Sequence, residues 1–582
     1  MEMKHTTRKF IILSLLLLMV LSACRVEKVV SPTDVPKTQE PTIPSAETFV
    51  PSETPTAFIS PTSAPSATPA PPAFWKGTLP LDLQERICLP DGAVWASDEK
   101  TATYSIVAPV PEKLNTHLVS TQWTYALVAP FFTVRDDISM DEFKSLLMGK
   151  ESESPDLSDR KVLLDEGDYD SPIALLGLSN PSDKVLKKVA SDAIFADPWG
   201  DDWAIVPFDA LQPGWKVLAI DGISPLDHDF NPDKYALTLH VTIESKSENN
   251  ELKSSIDFSN ILPVPNRDET KLTSLIMTGV TAMARDTAYV METQGVLFPG
   301  TEIRDILRAA DLTHISNEVS FYEGCAFPDP DYKGFIFCSN PEYIKLLDDL
   351  GADIIELTGN HNNDVLALYK VDSVPFTLEL YEQYGMRWYA GGVNIEDAKA
   401  PLLIEHNGNK LAFIGCNSYG PEMAWATESG SGAAPCEDFS WLKAEVARLR
   451  AEGYLPIVTF QFQEDYFREA TSLQLRDFRD VATAGPVIVN GSQSHVAKAM
   501  EFYEGVFIDY GLGNLFFDQP EFYITYNSFI QEHHFYQGRH ISTNLYTITI
   551  EETGKPRPMT DEERSEFLAI IFSVSEPLRR TQ

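Results

Sequence analysis

Short apolar runs recur along the chain from Phe74 onward, and most end in a small polar cluster. Up to Asn266 the runs are Tyr125–Pro130, Ile173–Leu178, Trp203–Phe208 and Val217–Ile220, which predict buried strands. Tyr235–Ser245 alternates and predicts a longer strand. Ser139-Met140-Asp141-Glu142 has the spacing of a capping box and predicts a helix through Phe143, Leu146 and Leu147. From Leu272 the pattern is more regular. Ser274–Met277 leads into Thr278-Gly279, and Thr313–Ser316 into Asn317-Glu318. Asp353–Leu357 leads into Thr358-Gly359-Asn360-His361, and Leu411–Ile414 into Gly415-Cys416-Asn417. Pro456–Phe460 leads into Gln461-Phe462-Gln463, and Pro486–Val489 into Asn490-Gly491-Ser492-Gln493-Ser494-His495. Helical spacing lies between these runs, in Thr301–Ala310, after Asn340-Pro341 and in Trp441–Arg450. The alternation predicts an α/β fold with a mostly parallel, layered sheet. Ligands of such sheets bind beyond the carboxyl ends of the strands, where the polar clusters fall.

The N-terminus follows other rules. Lys4, Arg8 and Lys9 flank the apolar run Phe10–Leu21, which is shorter than the roughly 20 residues that cross a bilayer. Leu21-Ser22-Ala23-Cys24 follows. This order is that of a secretory signal, and its cysteine resembles a bacterial lipobox. Residues 1–24 are expected to be a lipoprotein signal peptide with Cys24 lipidated. Residues 25–73, rich in Pro, Ser and Thr, are expected to form a stalk that cannot offset its ordering entropy by burial. Residues 74–266 and 272–582 are the expected folded domains. The expected location is the extracytoplasmic face of the cell membrane, through the lipid on Cys24. Export implies an oxidising compartment. Cys325 with Cys338 and Cys416 with Cys436 are the local pairs and Cys88 is left over, but spacing alone does not fix the pairing. Lys and Arg number 46 against 85 Asp and Glu, a net charge of −39, which argues against nucleic acid as a partner.

Glu318, His361 and His495 bring a carboxylate and two imidazoles to separate strand ends, and Asn360 and Gln493 add neutral oxygens. These donors suit Mn, Zn or Fe, and a metal there would polarise a phosphoryl oxygen or supply hydroxide. Asn360, His361 and His495 are the candidate catalytic residues. Glu318, Asn360, His361, Gln493 and His495 are the candidate metal ligands. Gly359 and Gly491 suit turns where the backbone approaches something closely.

Leu357–Asp364 (LTGNHNND), Ser316–Phe321 (SNEVSF), Thr278–Arg285 (TGVTAMAR) and Asn490–Gln519, with its Tyr510–Asp518 tract, resemble the CapA family. That resemblance implies a metallophosphoesterase-like fold and a part in bacterial poly-γ-glutamate capsule synthesis. The chain departs from the family pattern where Val280 stands for an Asp, Gln461 for part of a His-Trp-Gly element, and Ser492 and Gln493 for residues of a His-rich tract. These departures weaken a divalent-metal site, and Glu464, Asp465 and Asp518 are candidate substitutes. Tyr125–Gly149 loosely resembles phosphate-type periplasmic solute-binding proteins, which implies a smaller α/β solute-binding-like domain ahead of the CapA-like one. Three functions follow. The chain is a lipid-anchored protein for synthesis, export or retention of an anionic surface polymer, with that polymer or its synthesis machinery as partner. Alternatively it is a metal-dependent phosphoesterase with a reduced site, or a non-catalytic module that stacks a polymer on Tyr322, Phe462, Tyr466, Tyr503 or Phe517.

Overall fold

The computed structural model describes residues 71–108, 117–151, 154–197, 199–246, 256–332, 334–551 and 554–579. The expected signal segment, Cys24 and the stalk up to residue 70 lie outside the described residues. Ala73, assigned to the stalk, already opens a strand, Ala73–Lys76.

The fold is α/β. The first region is one mixed sheet around the strand His117–Pro130, which pairs antiparallel with Thr238–Ser245, Trp203–Pro207 and Trp215–Ile220. Its apolar run is continuous because both faces are covered. Trp123, Tyr125, Leu127 and Ala129 join the core of the first region. Ala126 and Val128 face the other way, into a cluster shared with Leu272, Tyr536 and Ile541. The run Ile173–Leu178 is not a strand: Asp170–Leu175 is a helix that buries Pro172 and Ile173. A short apolar run does not by its periodicity distinguish a strand from a buried helix.

From Leu272 the strands expected in one sheet are divided between two large sheets. In the first, Leu272–Thr281, Leu312–Asn317, Ile354–Glu356 and Arg387–Tyr389 run parallel. In the second, Asn409–Asn417, Leu455–Gln461, Ile488–Asn490 and Val506–Asp509 run parallel. The sheets face each other across a core in which Leu275, Met277 and Ile354 meet Leu411, Phe413, Ile457 and Ile488. The first sheet is completed by the antiparallel strands Asn527–Tyr536, Arg539–Glu551 and Lys555–Pro558. The hairpin of the first two has no clean alternation because polar Gln531, His533, His534, Ser542 and Thr543 are buried among its apolar residues. His533 Nδ1 lies 2.9 Å from Thr543 Oγ1, and Asn490 Nδ2 donates to Gln531 Oε1 at 3.3 Å across the sheets. Burial drives the pKa of His540 down to about 3 and that of His533 well below its ordinary value, so these imidazoles are neutral hydrogen-bonding groups. Among the described residues no helix is long and apolar enough to cross a membrane.

Candidate functional site

The carboxyl ends of both sets of parallel strands point to one place, and two glycines let them approach. Gly279 lies in the fully buried strand Leu272–Thr281. The Gly513 carbonyl oxygen would stand 1.9 Å from a Cβ at Gly279, and it accepts a hydrogen bond from Val280 N at 3.0 Å. This crossing sets Asn514 beside Val280 and Phe516 beside Thr281. Gly359 allows a second close approach, since a Cβ there would lie 2.3 Å from Glu318 Cβ.

Glu318 follows the strand Leu312–Asn317, fully buried, and neither carboxyl oxygen has a hydrogen-bond partner among the described residues. Burial raises its pKa, partly offset by His361 and His495. Asn360 donates to Glu464 Oε1 at 3.5 Å, a weak contact, and its own Oδ1 is buried without a partner. His361 Nδ1 lies 2.7 Å from Asp364 Oδ2, and the same oxygen accepts from Phe337 N at 2.7 Å. Burial works against a charged His361, but the Asp364 hydrogen bond and the Glu318 charge outweigh it and raise its pKa. His495 Nδ1 lies 2.8 Å from Asn514 Oδ1, with Nε2 3.8 Å from Glu464 Oε1. Its pKa, lowered by burial, is carried up to about 9 by Glu464 and Glu318. Burial alone would raise Glu464, yet His495 and His361 hold its pKa below the usual range. Each imidazole thus sits beside an acid, His361 against Asp364 and His495 near Glu464.

Asn360, His361 and His495 line one cavity of about 380 Å³, together with Arg285, Phe337, Asp364, Tyr419, Glu464, Tyr466 and Phe517. Glu318 and Gln493 do not line it. Glu318 packs against Gly359, the residue before Asn360, and so sits next to the cavity wall. Gln493 donates instead to Ser316 Oγ at 2.5 Å. Ser492 donates to the buried Glu356 at 2.6 Å and so ties the second sheet to the first. Of the candidate substitutes for lost ligands, Glu464 lines the cavity, Asp465 pairs with Lys498 at 2.5 Å and Asp518 pairs with Arg285 at 3.3 Å. Of the aromatics suggested for stacking, Tyr466 and Phe517 line the cavity. Phe462 packs on Phe478 and Tyr322 on Tyr369, while Tyr503 lies beneath the Arg479 guanidinium.

The rim comes from two loops closed by disulfides. Cys325–Cys338 closes the loop carrying Phe335, Ile336 and Phe337, and Cys416–Cys436 closes the loop carrying Tyr419 and Met423. Asn363 holds the second loop by donating to Met423 O at 2.7 Å and Ser431 O at 2.9 Å. Asn362 turns inward on Leu357 O and Gly359 O, at 3.0 Å each. The two asparagines after His361 therefore fix loops.

A two-metal centre does not fit these residues. Val280 is fully buried and brings no ligand, and Gln461 is buried with neither amide atom partnered. Among the described residues no group of three or more His, Cys, Asp or Glu side chains is arranged to hold a metal ion. Such a clamp needs more anionic and imidazole ligands.

Residues 274–519 match the family model described as "Bacterial capsule synthesis protein PGA_cap". The capsule biosynthesis protein CapA of Bacillus anthracis is 22% identical over 306 residues, covering 52% of this chain and 72% of that protein. The PGA biosynthesis protein CapA of Bacillus subtilis is 24% identical over 240 residues, 41% of this chain and 61% of that protein. Among solved structures, a Vibrio cholerae ABC-type phosphate transport receptor aligns with 28% of this chain and 78% of its own, at 11% identity and a TM-score of 0.23. A 5'-nucleotidase precursor from Thermus thermophilus aligns with 53% of this chain and 59% of its own, at 13% identity and a TM-score of 0.28.

Proposed function

We propose, from the match of residues 274–519 to the PGA_cap family model, that the chain takes part in the biosynthesis of capsule poly-γ-glutamate or a similar anionic surface polymer. It works outside the cell membrane, tethered by a lipid on Cys24, and serves the synthesis, export or retention of the polymer. The cavity lined by Asn360, His361 and His495 is its polymer site. The observation that carries this reading is the family match together with the two relatives, whose names speak of capsule and PGA biosynthesis. The charge of −39 on the chain would repel a polyanion at long range. Of the groups that line the cavity, however, Arg285 is paired with Asp518 behind it, His361 with Asp364 and His495 with Glu464. These pairs keep the chain's excess of negative charge from concentrating at the floor.

The test is titration calorimetry of the purified protein with γ-linked oligoglutamate. Saturable binding is expected, with affinity falling at least tenfold in His495→Ala. Absence of any heat of binding across millimolar ligand would remove the polymer-site reading.

A second reading is favoured by the unpartnered oxygens of Glu318 and Asn360: a single divalent cation, Mn, Zn or Fe, held there in a reduced phosphoesterase site. A bound ion would raise the melting temperature, by the equivalent of about 2.7 kcal/mol at a hundredfold excess over Kd. The shift is expected in the wild type and not in Glu318→Gln. A melting curve indifferent to all three metals, with no metal in the purified protein and no hydrolysis of aryl phosphate esters, would eliminate it.

A further inference from the structure

Arg285 is the one Lys or Arg among the described residues that line the cavity, and its setting is unusual. Its backbone φ is +45°, in the left-handed region where residues other than glycine are strained. It opens the helix Arg285–Gln294 directly after the strand Leu272–Thr281 and the short link that follows it. Strain of this kind persists where surrounding structure over-determines it, and it clusters at ligand sites. The guanidinium carbon stands 4.9 Å from the centre of the Phe337 ring and 5.3 Å from that of Phe517. Nε faces Asp518 Oδ2 at 3.3 Å and Nη2 donates to the Asp518 carbonyl. The side chain is thus held by two rings and one residue, while Nη1 makes no hydrogen bond to a described residue. Phe337 is itself fixed, because its backbone N–H donates to Asp364, the partner of His361.

We infer that Arg285 is the specificity-determining residue that reads a carboxylate of the ligand, with the Phe337 and Phe517 rings and Asp518 holding its guanidinium ready. This deepens the polymer-site reading and rests on it. Planar guanidinium groups match carboxylates through parallel N–H donors, which a lysine ammonium does not reproduce. Because the side chain is already ordered, little rotamer freedom remains to be lost on binding. The chemistry that fits is a pendant carboxylate on a polyamide chain, with the neutral amides of Asn360 and Gln519, which also line the cavity, beside it.

The experiment compares γ-linked oligoglutamate with its methyl ester by calorimetry, on the wild type, Arg285→Gln and Arg285→Lys, with melting temperatures for each. The wild type is expected to prefer the free acid by tenfold or more. Arg285→Gln should lose about tenfold for the acid and nothing for the ester, so that the preference vanishes. Arg285→Lys, which keeps the charge, should fall between. Equal affinity of wild type and Arg285→Gln for the acid would overturn the assignment, as would an unchanged acid-to-ester preference in Arg285→Lys should the Gln variant not fold. A wild type that binds neither form would overturn the polymer-site reading itself, which separates the two failures.

Discussion

Gly279→Ala is expected to destabilise the protein by about 3 kcal/mol, the upper end of the range for overpacking, and to abolish ligand binding. The added carbon would sit 1.9 Å from the Gly513 carbonyl oxygen, 2.9 Å from the carbonyl carbon and 3.2 Å from Leu512 Cβ. The first two are backbone atoms, so no side chain can turn away, and the strand around Gly279 is buried throughout. Either the Gly513 segment moves or the strand does. Movement of Gly513 breaks its hydrogen bond with Val280 N and shifts the adjacent Asn514, which holds His495 Nδ1. One methyl group would therefore act on both stability and the site. Urea unfolding gives the first quantity and calorimetry the second. Gly77→Ala is the control, since its added carbon would meet the Trp75 ring at an ordinary 3.4 Å. A Gly279→Ala protein as stable as the control would show that the crossing is looser than described.

The strand ends that meet at the cavity were legible because a parallel strand buried on both faces reads as an apolar run, and the polar residues after it can only be at its mouth. Asn360, His361 and His495, which line the cavity, and Glu318, buried against Gly359, follow from that rule. What was not legible depends on long-range placement. Asp364 lies three residues beyond His361 and reads as a helix-opening acid, yet it joins His361 to Phe337. Arg285 stands outside any polar cluster and reaches the cavity because Phe337, on a loop 52 residues later (337 − 285), and Phe517 close around it. Gln493 sits in the right cluster, but its side chain turns to Ser316, a choice that sequence spacing does not contain. The splitting of one expected sheet into two has a similar origin. The hairpin that completes the first sheet buries Gln531, His533, His534, Ser542 and Thr543, and polar residues paired with one another in a core erase the apolar signal on which the reading relies.

Lys498→Met is expected to cost about 3 kcal/mol, near the lower limit for removing one partner of a buried ion pair, and to weaken ligand binding about tenfold. Nothing in Val496–Met500 marks Lys498 as other than a surface lysine, yet only 1% of its side chain is exposed. Its ammonium donates to Phe467 O at 2.7 Å and Glu469 O at 3.0 Å and pairs with Asp465 at 2.5 Å. Burial lowers its pKa, with Asp465 opposing. These contacts fasten the segment that carries Glu464 and Tyr466 into the cavity. Methionine keeps the apolar stem but leaves the Phe467 and Glu469 carbonyls without the ammonium donor and Asp465 with only the Phe467 N–H, and an unsatisfied buried acceptor costs about 1–3 kcal/mol. Asp465 is 16% exposed, so water will recover part of the loss. The double variant Lys498→Met/Asp465→Asn separates stability from positioning. Removing both charges should restore at least 1 kcal/mol relative to the sum of the single variants, the coupling expected of residues in contact. Ligand affinity should stay low, because the carbonyls of Phe467 and Glu469 remain untethered. If affinity recovered in step with stability, Lys498 would be only a buried charge needing a partner, and the orientation of Glu464 would owe nothing to it.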